Sequence, residues 1–265
     1  MTNRRLMGRT ALVSGSTVGI GYAIALGLAR EGAWVWVNGR TQARVDAAIR
    51  NIRKEMPDAT LEGVAEDLGT ATGCEQLVRR VPSVDVLVNN LGIFEPKPFE
   101  TIPDADWLRL FEVNVMSGVR LSRAYLPGMK QRNWGRIVFI SSESAVHIPA
   151  EMVHYGMTKT AQVAVARGIA EGCAGTNVTV NSVLAGPTAS EGVTNFVNDL
   201  ARKQNVTPAE LEKQFFMNVR PTSLLKRFLK PEEVASVVVY VCSPEASAVN
   251  GAAIRAEGGV VKAVL

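Results

Sequence analysis

Tyr155 and Lys159 stand four residues apart in the run Tyr155-Gly156-Met157-Thr158-Lys159. On a helix that spacing sets both side chains on one face. A free phenol titrates at about 10, too high for acid–base work at neutral pH. An ammonium beside it favours the phenolate and lowers that value. The pair could then give a proton to a carbonyl oxygen or take one from an alcohol. Alone the pattern is weak. Tyr-x-x-x-Lys arises by chance on many helices, and a packed Tyr beside a surface Lys is the simpler reading. Ser142 adds to it, because Ile140-Ser141-Ser142 closes an apolar run thirteen residues before Tyr155. Open parallel sheets bind ligands at the carboxyl ends of their strands. A hydroxyl there could hold a substrate oxygen and stabilise developing charge. A turn-capping Ser is the alternative. Ser141 competes, although strand alternation gives only one of the two the inward position.

A second group of residues suits phosphate. Ser14-Gly15-Ser16-Thr17-Val18-Gly19-Ile20-Gly21 lies between a short apolar strand and a helix. Gly15 allows a tight turn, Gly19 close approach of backbone to phosphate, and Gly21 close packing of helix on strand. The free N–H groups of a helix N-terminus, here following Thr17 and Val18, favour a pyrophosphate. The next strand ends Asn38-Gly39-Arg40-Thr41, with no carboxylate. An acidic residue there would accept from the ribose hydroxyls of NAD, whereas Arg accommodates the extra phosphate of NADP. Arg40 offers the bidentate cation that this phosphate wants, with Asn38 and Thr41 as additional donors. A solvated surface Arg is the plain alternative. Asp67-Leu68 ends the third strand, where a lone Asp reads by itself as a turn or cap residue.

These positions need a frame, and the chain alternates between two periods. Strands are expected at Thr10–Ser14, Ala33–Asn38, Ala59–Glu66, Val84–Asn89, Arg136–Ser141, Asn177–Leu184 and Ala252–Ala256. Helices are expected at Gly21–Glu31, Thr41–Glu55, Thr70–Val81, Asp104–Arg132, Met152–Gly172 and Pro231–Cys242, the fourth interrupted near Met116–Val119. Alternation of this kind implies right-handed crossovers and a parallel sheet covered on both faces. Near-continuous apolar strands agree. No linker or repeat divides the chain, so one domain is expected. The stretch from about 191 to 227 breaks the rhythm and reads as an inserted lid. Its Phe196, Leu200, Phe215, Phe216 and Met217 fit packing on the body, with Phe215 or Phe216 as candidates for the pocket. Lys203, Lys213 and Arg220 read as a solvated face or as a greeting for an anionic carrier.

The glycine spacing, with Ile20 between the last two glycines, resembles the short-chain dehydrogenase/reductase family. The 142-to-155 spacing, Asn114 in Glu112-Val113-Asn114-Val115, Arg227, Pro231-Glu232-Glu233-Val234 and Gly258-Gly259 match it as well, from Thr10 to Gly259. The general pattern resembles the 3-oxoacyl-carrier-protein reductase-like branch. The resemblance implies a Rossmann-type, doubly wound α/β fold and a catalytic set of Asn114, Ser142, Tyr155 and Lys159. In it Asn114, by itself a mediocre helix former, breaks its helix and holds a water that relays protons to Lys159. Lys159 also binds the nicotinamide ribose. Asp67 and Leu68 flank the adenine, and Asn90 and Gly92 pass close to the cofactor. Gly186, Pro187 and Thr188 face the carboxamide, with the Thr188 hydroxyl near the pyrophosphate. Gly39 stands where NAD-preferring members carry Asp. Three departures follow. Leu91 replaces the family's Ala, Ala185 replaces its Pro, and no basic residue lies inside the glycine loop.

The expected function is interconversion of a carbonyl and a secondary alcohol with NADP(H) preferred over NAD(H), on a 3-oxoacyl thioester or another small molecule. A cofactor-binding redox sensor without turnover is the alternative, against which the complete catalytic set argues. Composition excludes other classes. The 265 residues are 47% hydrophobic and 20% charged, so disorder is not expected. A net charge of +4 without a basic stripe gives no reason to expect nucleic acid. Cys74, Cys173 and Cys242 are scattered, which fits a reducing cytoplasmic compartment better than disulfides. With His147 and His154 they suggest no metal site. Arg4 and Arg5 precede no apolar run, so no secretory signal is expected. The apolar stretch around Val237–Cys242 is far short of the ~20 residues of a membrane helix. A homo-tetramer or homo-dimer is implied by the resemblance, and the apolar end Val260–Leu265 is compatible with it.

Overall fold

The structure is a computed structural model describing residues 4–264, with the Phe196 side chain undescribed. Leu265 and the side chain of Phe196 therefore lie outside the described residues. Seven parallel strands form one sheet in the order β3-β2-β1-β4-β5-β6-β7. They are β1 (Thr10–Val13), β2 (Trp34–Gly39), β3 (Leu61–Ala65), β4 (Val86–Asn89), β5 (Gly135–Ser142), β6 (Val178–Ala185) and β7 (Ala253–Ala256). The helices are α1 (Gly19–Arg30), α2 (Gln42–Glu55), α3 (Ala71–Arg80), α4 (Asp104–Phe111), α5 (Ser117–Gln131), α6 (Val153–Glu171), α7 (Glu191–Gln204), α8 (Pro208–Asn218) and α9 (Pro231–Cys242).

Successive strand side chains point to opposite faces, and each face has its own core. Val13, Val35, Val37, Val138, Ile140 and Val183 join the cluster under α1, α2 and α9. Leu12, Leu87, Ile137, Phe139 and Val180 join the cluster under α3, α5 and α6. Burial on both faces is why the strands are apolar at nearly every position. The chain winds outward from β1 to β3 and then returns to β4 on the other side of β1. The crevice at that reversal is where such sheets bind ligands, and the loops after β1 and β4 both open there.

Several boundaries differ from the sequence reading. The glycine loop is shorter, because α1 begins at Gly19 and takes Gly19 and Ile20 into its first turn. β5 runs one residue further, to Ser142. The interruption of the long helix lies over Glu112–Met116 rather than Met116–Val119, as a π-helical turn centred on Asn114. The reason is the Asn114 side chain, which bonds Ile93 instead of its own helix. The 191–227 stretch contains α7 and α8, the latter entered through a capping box between Thr207 and Glu210.

Candidate active site

The glycine loop is held from below by buried polar side chains. Gly15 and Gly19 have φ of +61° and +60°, which an L side chain rarely adopts. A Cβ at Gly21 would lie 2.4 Å from the Gly15 carbonyl oxygen and 2.5 Å from Asn90 Nδ2. Asn90 Nδ2 donates to the carbonyls of Ser14 and Gly15 at 2.9 and 3.0 Å. Ser14 Oγ accepts from the backbone N–H groups of Asn90 and Leu91. α1 has no side-chain cap at Val18 and no acidic residue in its first turn. An uncapped N-terminus behind a glycine turn fits a pyrophosphate, so the residues present suit a dinucleotide.

Asn38 is buried and plays another part than the one expected of it. Its Oδ1 accepts from Gly15 N, and its Nδ2 donates to the carbonyls of Val64 and Glu66. It fastens the loop to β2 and β3 and has no donor left for a nucleotide. Arg40 and Thr41 are exposed beside it. A Cβ at Gly39 would meet Thr17 Cγ2 at 2.5 Å, so Thr17 occupies the room a carboxylate would need. Leu68 has its side chain in the core, leaving only its backbone to flank an adenine. Asp67 is exposed, and its Oδ1 accepts from Gly69 N, the turn role. Thr188 is buried and donates its hydroxyl to the Gly186 carbonyl at 2.8 Å rather than outward to a pyrophosphate. The two substitutions also find places. Leu91 packs against one core cluster and Ala185 joins the other. Gly92 lies where a Cβ would be 3.3 Å from Lys159 Nζ. Gly186 packs so closely on Glu257 that a Cβ would fall 2.5 Å from its carbonyl oxygen.

β5 and α6 bring the reactive groups together. Ser141 donates to the backbone carbonyl of Lys159 at 2.9 Å and so faces α6. Ser142 is therefore the seryl hydroxyl on the site side. Its Oγ accepts from Ser144 N at 3.1 Å and donates to the Glu143 carboxylate. Lys159 is buried, and its Nζ lies 5.5 Å from the Tyr155 ring centroid. Nζ donates to the Ile140 carbonyl at 3.0 Å and to Gln162 Oε1 at 3.1 Å. Burial holds the ammonium down to about 8, against a smaller opposing effect of the Glu143 charge. The Tyr155 hydroxyl is pushed up, first by burial and then by Glu143, while a hydrogen bond with Ser142 and the charge of Arg220 pull it down. The lowering expected from Lys159 does not arise in this structure, where burial and a carboxylate both favour the neutral phenol.

Asn114 is fully buried. Its Oδ1 accepts from Ile93 N, and its Nδ2 donates to the Ile93 carbonyl and to Thr158 Oγ1. Its backbone carbonyl, released by the π turn, accepts from Gln162 Nε2 at 2.6 Å. The Gln162 side-chain amide thus links Asn114 to Lys159. Gln162 and Glu143 are polar residues of this candidate site that the sequence reading missed. Gln162 follows Lys159 by three and shares its helix face, which was the available signal. Arg220, read as part of a solvated face, is instead 5% exposed and pairs with Glu143 at 3.0 Å. His147 is exposed, as expected of a loop residue. Phe216 is buried in the body, and Phe215 stacks on Phe228 and lies 6.0 Å from the Arg220 guanidinium.

Known proteins resemble this chain. The family model described as "Enoyl-(Acyl carrier protein) reductase" matches residues 15–261. The chain is 50% identical over 259 residues to "Uncharacterized oxidoreductase YvaG" of Bacillus subtilis, covering 98% of each chain. It is 32% identical to "3-oxoacyl-[acyl-carrier-protein] reductase FabG" of Aquifex aeolicus, covering 97% of this chain and 98% of that one. A solved structure of L-sorbose reductase from Gluconobacter frateurii, complexed with NADPH and L-sorbose, superposes with a TM-score of 0.93 at 28% identity. That match covers 99% of this chain and all of the other. A glycine loop at the switch point, a Tyr–Lys pair behind β5 and likeness over nearly the full length agree: the chain is an oxidoreductase of the short-chain dehydrogenase/reductase family.

Proposed function

We propose that the protein interconverts a carbonyl compound and a secondary alcohol, with NADP(H) preferred over NAD(H), and that Asn114, Ser142, Tyr155 and Lys159 carry the reaction. The supporting observation is the meeting of Ser142, Tyr155 and Lys159 at the carboxyl end of β5, beside the glycine loop. When bound, the reduced nicotinamide supplies a hydride. The Tyr155 hydroxyl delivers a proton to the substrate oxygen, and Ser142 holds that oxygen by a hydrogen bond. Lys159 supports the phenolate left behind and takes the nicotinamide ribose. Asn114, through Gln162, fixes Lys159 in place.

The backbone of Gly15, Thr17, Val18, Gly19, Ile20 and Gly21 takes the pyrophosphate. Arg40 and Thr41 take the ribose phosphate, and Asp67 and Leu68 border the adenine. Asn90, Gly92, Gly186, Pro187 and Thr188 line the nicotinamide end. The 191–227 segment closes over a small-molecule substrate. Three buried thiols fit a cytoplasmic protein, and a homo-tetramer or homo-dimer fits the family.

The test is initial-rate oxidation of NADPH and of NADH with ketones, aldehydes, a ketose and a 3-oxoacyl thioester, run beside Tyr155→Phe. Turnover preferring NADPH and falling at least about 100-fold in the variant is expected. Preference for NADH would remove Arg40 from the argument. Tight NADPH binding with no turnover across the panel would favour a sensor.

A further inference from the structure

Glu143 is a charged residue that the proposed reaction does not use, yet it touches the Ser142 hydroxyl assigned to the substrate oxygen. It is 4% exposed and follows Ser142 at the end of β5. One carboxylate oxygen accepts from Ser142 Oγ, and the other accepts from Arg220 Nε at 3.0 Å. Arg220 is itself shared, with Nη1 3.4 Å from Glu151 Oε1 and 3.0 Å from the Val219 carbonyl. A carboxylate accepts at about four lone-pair positions, and two of these positions are engaged here. A hydroxyl has a single proton, and the proton of Ser142 goes to Glu143.

A plain ketone meets a poor site in this arrangement. Its oxygen needs the Ser142 proton, which Glu143 holds, and the carboxylate repels the negative charge that grows on that oxygen. A substrate hydroxyl next to the carbonyl changes both conditions. It donates to Glu143 in place of Ser142, and the Ser142 proton is then free for the carbonyl oxygen. A substrate carboxylate finds no welcome, because the Arg220 charge is already paired with Glu143.

We propose that Glu143 accepts a hydrogen bond from a substrate hydroxyl, and that the substrate is a neutral α-hydroxyketone or, in the reverse direction, a vicinal diol. This rests on the reading of Ser142 and Tyr155 as donors to the carbonyl oxygen. In reduction the carbonyl carbon gains a hydride from NADPH and its oxygen gains the Tyr155 proton. The products are the vicinal diol and NADP+, and a proton from solvent restores the phenol.

The experiment compares kcat/KM for 1-hydroxy-2-butanone, 2-butanone and 2-oxobutanoate at saturating NADPH. The enzymes are the wild type, Glu143→Gln, the doubly neutral Glu143→Leu/Arg220→Leu, and Tyr155→Phe. NADPH fluorescence titration reports whether each variant folds. The wild type should favour the hydroxyketone over both others by at least about tenfold. That preference should fall at least about fivefold in a folded Glu143 variant, because 2-butanone no longer competes with Glu143 for the Ser142 proton. A purely structural role for Glu143 would lower all substrates alike. A wild-type ratio near one, or a ratio unchanged in both Glu143 variants, overturns the proposal while leaving the Tyr155 chemistry intact. Undiminished turnover in Tyr155→Phe overturns the catalytic reading beneath it. Turnover of none of the three by a protein that binds NADPH overturns the hydroxyketone assignment.

Discussion

Lys159 shows how a single residue's surroundings set its chemistry. Its ammonium is buried, bonded to Ile140 and Gln162, and lowered to about 8. The charged form is present below that value and is lost as pH rises through it. Reduction rates should therefore be level below pH about 8 and decline above it. Gln162→Leu removes an acceptor that favours the charged form, so the decline should move to lower pH in a pH–rate profile. A limb that stays in place would remove Gln162 from the argument. Gly39 gives a second prediction at this scale. Gly39→Asp should weaken NADPH use without creating NADH use, because the new Cβ collides with Thr17 Cγ2. Adding Thr17→Ala should open the room, and the KM values for both nucleotides in the single and double variants would show it.

At the scale of elements, close approach is what positions the site. α5 lies against β4 and β5 at Gly118, where a Cβ would fall 2.6 Å from Phe139 Cε1 and 3.2 Å from Asn89 Cγ. Gly118→Ala should cost about 1–3 kcal/mol in denaturant unfolding, as overpacking does. α4 and α6 meet at His154, which is fully buried, edge-on to Trp107 and without a hydrogen-bond partner among the described residues for either ring nitrogen. Burial lowers its pKa below the ordinary 6.5; Asp106 and Glu95 oppose that shift, while Lys97 and Arg109 add to it. The unfolded chain then binds a proton at pH values where the native chain does not. Stability is thus full above pH 6.5 and is lost as pH falls toward the folded value. Urea midpoints measured above and below that pH should separate in the wild type and converge in His154→Phe.

The whole molecule carries its three thiols inside. Cys74 and Cys242 are pushed up to about 11 and about 12 by burial, and Cys173 is also raised. The thiolate is the reactive form, so a thiol reagent should label none of them at neutral pH in the native protein and all three after unfolding. Rapid labelling of a native thiol would contradict the packing described. No helix among the described residues is long and apolar enough to cross a membrane.

Local spacing was enough to read much of this protein. Alternation of strand and helix and the glycines after β1 each lie within a few residues, and periodicity or backbone sterics write them directly into sequence; the Tyr155–Lys159 pair, weak alone, stood out only through its family-like spacing from Ser142. What remained was decided by contacts between distant residues. Ser142 rather than Ser141 faces the site because of the direction β5 takes against α6. Asn38 fastens the glycine loop because β3 passes beside it. The Arg220–Glu143 pair spans 77 positions and the Gln162–Asn114 bond spans 48. Such pairs leave no periodic trace, since a buried charge and a solvated one look alike until the fold supplies the partner.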